Sequence, residues 1–212
     1  MLTIHAAALL LPGGGRAPVP GGAVAVRDAS VEAFGAFGEL AAAHPGARVR
    51  RWPGVLTPGL VQRNAVRLLE EWYFPDPREA DALGTEPLTG AALDALGPEE
   101  TWRAGSVRRG LQQMLRFGTT HLAGPFTDAA VGTLVARSGL TVVPPSGDPG
   151  APALDPLARG HDVPGAEHGP LTSGGRADFA VFDVPDVTTL GAVGARTCVA
   201  TVLGGRLVYR RR

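Results

Sequence analysis

The stretch Val55-Leu56-Thr57-Pro58-Gly59-Leu60-Val61-Gln62-Arg63-Asn64 decides how the rest of the chain is read. An apolar run is interrupted by a Pro-Gly pair, resumes for two residues and then turns polar. The pattern predicts a buried strand whose C-terminal end opens onto a site, with Gln62, Arg63 and Asn64 as binding residues at its mouth. Arg63 and Asn64 have the hydrogen-bonding groups to read a carboxylate or an amide there.

The chain around it has 212 residues, 44% of them hydrophobic and 19% charged, a globular composition with enough length for a real core. Its 20 basic and 20 acidic residues cancel. A balanced chain has no net field to hold a polyanion, which argues against nucleic acid as the main partner. Arg210-Arg211-Arg212 is the one dense basic run and reads as a solvated tail. No apolar run approaches the ~20 residues of a membrane span. Met1-Leu2-Thr3-Ile4-His5 lacks the basic start of a signal peptide. The single cysteine, Cys198, permits no intramolecular disulfide and sits among Val199, Ala200, Val202 and Leu203 as a small hydrophobe would. A cytoplasmic protein is the expectation.

Working outward, residues 1–11 predict a first strand and residues 21–28 a second, entered through Gly21-Gly22. Residues 31–37 fit either a short strand or one helical turn. Residues 39–44 read as a short helix ended by Pro45-Gly46, and Ala47-Arg48-Val49-Arg50-Arg51-Trp52 as a strand with an exposed face. Beyond the opening stretch, residues 65–73 form a weakly amphipathic helix that Pro75 must end, and Asp76 caps a turn with Pro77 at its first position. A helix begins at Pro98-Glu99-Glu100-Thr101-Trp102; Val107, Leu111, Met114, Leu115 and Phe117 make its apolar stripe and Gly118 its end. Strand, helix and strand follow at 119–124, 127–138 and 140–143, an alternation that indicates parallel α/β organisation. Residues 144–170, rich in Pro and Gly and without periodicity, predict a linker. Strands return at Phe179-Ala180-Val181-Phe182 and as a hairpin across Gly204-Gly205.

Four of these stretches together resemble the amidohydrolase superfamily: the 21–28 strand, Pro58-Gly59-Leu60-Val61, Leu115-Arg116-Phe117-Gly118-Thr119-Thr120, and Gly175-Arg176-Ala177-Asp178 with Val202-Leu203-Gly204-Gly205-Arg206-Leu207-Val208. The composite sandwich of imidazolonepropionase-like and aminodeoxyfutalosine deaminase-like proteins is the nearest likeness, with a hint of a menaquinone-pathway context. The resemblance implies a mixed α+β fold. A β-sandwich domain would be built from both termini, residues 1–54 and 171–212. A (β/α) barrel segment would occupy residues 55–143, with residues 144–170 as the linker. A full barrel takes roughly 250 residues, and residues 55–170 supply less than half of that. The barrel is therefore expected to be truncated to about three strands.

The same family places an H-x-H metal pair after its P-G-[LF]-[IV] strand, where this chain has Gln62-Arg63-Asn64. A hydrolytic metal needs about three protein ligands and an open position for water. The chain has five histidines (His5, His44, His121, His161 and His168), no two within three residues, and no lysine. No metal ligand is assigned, and no cofactor is expected. Asp178 and Asp183 match structural positions of the returning sandwich. His121, on the second barrel-like strand, and Asp128 are the weak catalytic candidates. The acidic residues Glu70, Glu71, Asp76, Glu79 and Asp81 read as a solvated helix face.

The favoured reading is a catalytically degenerate, non-enzymatic amidohydrolase-like protein with an assembly or binding role. A homo-oligomer or a protein partner would cover the open barrel remnant, through Trp72, Tyr73, Phe74, Trp102 and Phe126 unless these pack into the core. A second reading is a reduced hydrolase of non-peptide C–N bonds, using zinc or iron. A third is a small-molecule binding module at Arg63 and Asn64.

Overall fold

The computed structural model describes residues 1–97, 100–147, 150–158 and 162–211, with the backbone alone at Glu100 and Thr101. The readings that rest on Pro98, Glu99, His161 and Arg212 lie outside the described residues. The architecture is mixed α/β with three sheets, and the described strands close no barrel. No described helix is long and apolar enough to cross a membrane.

The first predicted strand is two strands in two different sheets. β1 (Leu2–Ala6) pairs antiparallel with β4 (Gly22–Arg27) and parallel with β6 (Arg48–Arg51). β5 (Ser30–Ala36) completes a four-stranded sheet of order β5-β4-β1-β6. The ambiguous residues 31–37 are thus strand as far as Ala36, where the helix α1 (Phe37–Ala43) begins. β2 (Leu9–Leu10) instead joins β3 (Val19–Pro20), β7 (Val55–Pro58), β11 (Phe179–Phe182), β12 (Cys198–Leu203) and β13 (Arg206–Arg210) in a six-stranded sheet of order β13-β12-β11-β7-β2-β3. Strands from both ends of the sequence therefore make one sheet.

The two sheets pack face to face. Val24, Val26 and Val31 from one meet Leu10, Leu56, Phe179, Val181, Ala200 and Val202 from the other in a shared core. The period-2 alternation of β1 explains its two faces: Ile4 and Ala6 turn outward under α1 and Leu40, while His5 turns inward, edge-on to Phe179. β6 shows the reverse of what its composition suggests, because Val49 is 42% exposed while Arg50 is half-buried.

The opening stretch also splits. β7 ends at Pro58 inside the six-stranded sheet, and β8 (Leu60–Gln62) begins a parallel three-stranded sheet with β9 (Thr119–Ala123) and β10 (Thr141–Val143), ordered β10-β9-β8. The boundary expected at Val55 therefore falls four residues later in the strand pairing, at Gly59. A methyl group on Gly59 would lie 1.8 Å from the Thr120 hydroxyl, so the crossing is possible only without a side chain.

Helices α2 (Ala65–Glu70), α5 (Glu100–Leu115) and α6 (Ala129–Ser138) cover one face of the parallel sheet. Val107, Leu111 and Met114 of the predicted stripe are buried there with Leu68, Leu69, Leu122, Val131 and Val135. Gly118 and Gly139 end α5 and α6 at φ 74° and 82°, the left-handed positions expected of helix-stop glycines. Between α2 and α5, Asp76 caps a short 3-10 turn, Pro77–Glu79, which leads into α3 (Ala80–Leu83) and then α4 (Ala91–Leu96). The acidic face proves less solvated than expected, since Glu79 accepts from the Asp76 N–H and the Tyr73 hydroxyl and Glu70 from the Thr127 backbone and side chain. Of the five aromatics offered for an interface, Tyr73 and Phe74 are core residues, Trp72 and Phe126 pack partly against the core, and Trp102 stays 48% exposed.

Parts of the described stretches of 144–170 pack against the core where a free linker was expected. α7 (Val163–Ala166) forms within them, and Leu157, Val163 and Ala166 are buried with Leu11, Val55, Leu60 and Phe182. α8 (Val187–Val193) adds Leu190 to the same cluster. Periodicity gave no sign of this because three separated apolar residues suffice to anchor an irregular segment. Cys198 is buried in this cluster too, and burial pushes its thiol up to about 11, which makes it an inert hydrophobe at neutral pH.

Gly59→Ala should lower stability by about 1–3 kcal/mol through overpacking, read as a shift in the urea midpoint at unchanged slope. A midpoint equal to that of the parent would show that the two sheets can move apart at this point.

Candidate functional site

Gln62, Arg63 and Asn64 end β8, as predicted, and each side chain or backbone group there meets chain. Buried Gln62 donates from Nε2 to the carbonyls of Ala153 (3.1 Å) and Leu154 (3.0 Å), and its Oε1 accepts from the Asn64 N–H at 3.1 Å. Arg63 Nη2 donates to the Gly165 carbonyl. The space beside the trio, shared with Ala151, Asp155 and Pro156, is about 10 Å³, no more than a water molecule needs. Instead of an open mouth, these polar residues form a clasp that holds Ala153, Leu154 and Gly165 against the end of β8.

Asp128 is a helix cap. Its Oδ1 accepts from the N–H groups of Ala130 (2.8 Å) and Val131 (3.1 Å) at the start of α6. It borders an apolar cavity of about 90 Å³ between Leu69, Trp72, Val107 and Leu134 on the helical side. His121 lines a different space, so the two weak catalytic candidates are not brought together.

That second space is the candidate site, a cleft of about 280 Å³ where the parallel sheet meets the sandwich. On β9 successive side chains alternate, so Leu122 enters the helical core and His121 faces the cleft. His121 is 8% exposed, and its Nδ1 shares a 2.7 Å hydrogen bond with Thr120 Oγ1. His168 stacks on it with ring centroids 4.0 Å apart. Asp178, just before β11, is 6% exposed; its Oδ1 accepts from the Gly204 N–H at 2.6 Å and pairs with Arg176 Nε at 3.2 Å. Its Oδ2 is buried, has no hydrogen-bond partner and lies 3.9 Å from His121 Nε2. Each nitrogen of Arg176 has a protein partner, because Nη1 also reaches Thr141 Oγ1 (3.1 Å) and Nη2 the Gly139 carbonyl (2.6 Å). It ties β10 to the returning strand.

Burial, with added repulsion from His168 and Arg176, drives His121 down to about 3. At neutral pH it is an uncharged imidazole, so its approach to Asp178 is a contact between a neutral ring and a carboxylate and not an ion pair. Burial also raises Asp178 above the usual carboxylate range, against the pull of the Gly204 N–H and Arg176. A base near 3 is poorly matched to proton abstraction at neutral pH. What the site offers is an acceptor oxygen without a donor, a neutral ring nitrogen and a second imidazole face.

Among the described residues no group of three or more His, Cys, Asp or Glu is placed to hold a metal ion. The ligand set that a hydrolytic zinc or iron requires is therefore not met around His121. His168 and Arg176 join the site without having been singled out from sequence. Arg176 and Asp178 stand in a legible motif whose role read as structural. No local pattern links His168 to a histidine so far away in the chain.

The titrating groups make stability pH-dependent in opposite senses. His5, lowered to about 4 by burial and then by Arg50 and Arg48, and His121 stay neutral when folded but protonate below about 6.5 when unfolded. The stability present above that pH is lost as it falls toward 4. Glu167, raised to about 7 by burial first and Asp162 second, disfavours the fold above that pH and stops doing so as it falls toward 4.5. In thermal melts, His121→Asn should flatten the decline in Tm between pH 6.5 and 4. Glu167→Gln should raise Tm at pH 8 and leave it unchanged at pH 4; the reverse pattern would contradict these assignments.

No protein-family model matches the sequence, and no curated protein sequence does. Solved structures do match. E. coli guanine deaminase aligns with a TM-score of 0.53 at 10% identity, covering 100% of this chain and 100% of that one. Helicobacter pylori aminofutalosine deaminase aligns with a TM-score of 0.51 at 12% identity, covering 98% and 100%. A. niger ochratoxinase has a TM-score of 0.44 at 20% identity over 68% of this chain, which spans only 30% of that enzyme's length. At such identities the likeness is one of fold, shared with the guanine and aminofutalosine deaminases.

Proposed function

We propose that this chain, whose fold is that of amidohydrolase-superfamily deaminases, is a non-hydrolytic relative with a truncated barrel, and that it binds a small molecule bearing N–H donors. The cleft beside His121, His168 and Asp178 is its binding site. The reading rests on one observation above all: Asp178 Oδ2 is buried in the cleft wall and has no donor. A buried acceptor left unsatisfied costs about 1–3 kcal/mol, which a ligand N–H would recover. Arg176 is already committed to Asp178, Thr141 and Gly139, and Asp178 would repel a carboxylate, so an amine, amidine or amino-heterocycle fits better than an anion. His121, held neutral, acts as a hydrogen-bonding wall and not as a base. The metal-dependent hydrolase reading has less support, for want of a ligand set among the described residues.

The assembly reading keeps one specific support. β10 ends the order of the parallel sheet, and Val142 on it is 46% exposed, so a second copy or a partner could extend this edge.

Titration of the purified chain with benzamidine, guanidine and 2-aminopurine, against benzoate as the anionic control, tests the binding reading. At least one N–H donor should bind, benzoate should not, and Asp178→Asn should weaken binding about tenfold or more by placing a donor where the acceptor was. Stoichiometric zinc or iron in the purified protein, together with hydrolysis of a cyclic C–N substrate, would overturn it. Light scattering that gives a monomer at high concentration would remove the assembly reading.

A further inference from the structure

The open end of the sandwich carries a second, unrelated feature. Arg48, Arg50 and Arg51 on β6 and Arg210 on β13 surround a concavity of about 210 Å³ whose remaining walls are Trp52 and Leu207. Arg210 was expected in a solvated tail; it lies instead within a strand, its guanidinium 5.8 Å from the centre of the Trp52 ring.

Three observations set this cluster apart from an ordinary charged surface. First, among the described residues none of the four arginines forms an ion pair and no carboxylate lines the concavity, so it is a wholly cationic hollow. Second, the pleat of β6 is set against hydrophobicity. Arg50, in register with buried His5, turns toward the sandwich interior while Val49 faces solvent. A shift of one residue would turn Val49 inward together with Arg51 and free Arg48 and Arg50, and the strand does not take that register. Burial, with Arg48 and Arg210 adding repulsion, lowers Arg50 from its usual value, so the arrangement is electrostatically unfavourable when empty. Third, the Arg210 guanidinium is propped by an aromatic face, lying over Trp52, while Arg51 turns to the other face of β6 and stacks on Phe37. Stacking holds a guanidinium by its plane and leaves its N–H edge directed elsewhere. The platform is itself fixed, because Trp52 Nε1 donates to His5 Nδ1 at 3.2 Å and holds the two rings nearly parallel.

Several planar forks converging on one concavity match the oxygens of a multivalent oxyanion, and best a diphosphate, whose charge is high and whose oxygens accept paired N–H donors. We propose that Arg48, Arg50 and Arg210 form a binding site for a diphosphate-bearing small anion, separate from the His121 cleft. Arg210 lies over the Trp52 ring and occupies that face, so recognition falls on the phosphates and not on a base.

Calorimetric titration of the full chain with inorganic pyrophosphate, and in parallel with ADP and orthophosphate, tests this. Pyrophosphate and ADP should bind alike and orthophosphate at least tenfold more weakly, with affinity falling as salt is raised. Arg210→Gln, at the rim, should weaken pyrophosphate binding about tenfold or more. Arg50→Gln should do the same while its own Tm without ligand does not fall, since a repulsive charge has been removed. Arg116→Gln, a distant surface change on the helical side, should leave binding intact. No heat with pyrophosphate, equal weakening by Arg116→Gln, or binding of ADP without pyrophosphate would each overturn the proposal.

Discussion

The close approach of Gly59 to Thr120 is the constraint on which the rest depends. One strand must leave a six-stranded sheet and enter a three-stranded one within a single residue, and that residue sits where no side chain fits. The backbone at the crossing is held from both sides: the Gly59 N–H donates to the Asp178 carbonyl at 3.1 Å and its carbonyl accepts from the His168 N–H at 3.4 Å. Thr120, the residue it touches, orients His121. Every side chain that faces the cleft is thus referred to one α-carbon, and the two packed layers and the site share a common origin.

Where the sequence carried a local physical signal, it was legible. The α5 stripe, its Gly118 stop, the Asp76-Pro77 cap and the Gly204-Gly205 hairpin are encoded within a few residues of themselves, through helical period, positive φ and capping geometry. The resemblance at both ends implies a sandwich built from both termini, and strands from both ends do lie in the six-stranded sheet. What stayed hidden depends on partners remote in sequence. Nothing in Val55 to Gln62 says that its two halves pair with different sheets, because period reports burial and not neighbour identity. Val49 and Arg50 invert the expected pleat because their register is set by pairing with β1, not by their own hydrophobicity. His168 looked like a residue of a loose segment, yet three apolar anchors and the Gln62 clasp deliver it to His121.

Balanced composition also concealed how unevenly charge is placed. Four unpaired arginines gather at the sandwich edge, whereas the carboxylates between Glu70 and Glu79 are taken up by capping and local hydrogen bonds on the helical side. Overall neutrality excludes a long-range field but says nothing about a concavity a few ångströms across. Buried His5 links the two scales, since it sits between the arginine cluster and the sandwich core and stays neutral in consequence.

The pairing of β7 with β11 has a consequence for how the molecule comes into being. Val55 through Pro58 register against Phe179 through Phe182, and β2 adds to the far side of β7, so the central strands of the larger sheet come from opposite halves of the chain. During synthesis β2 and β7 leave the ribosome well before the strand that must lie beside them exists. Until it arrives they form an apolar, half-finished edge, and closure then requires a long loop to be drawn shut. Such a topology folds late and all at once, and its most hazardous moment for aggregation is the interval in which the N-terminal strands wait for β11.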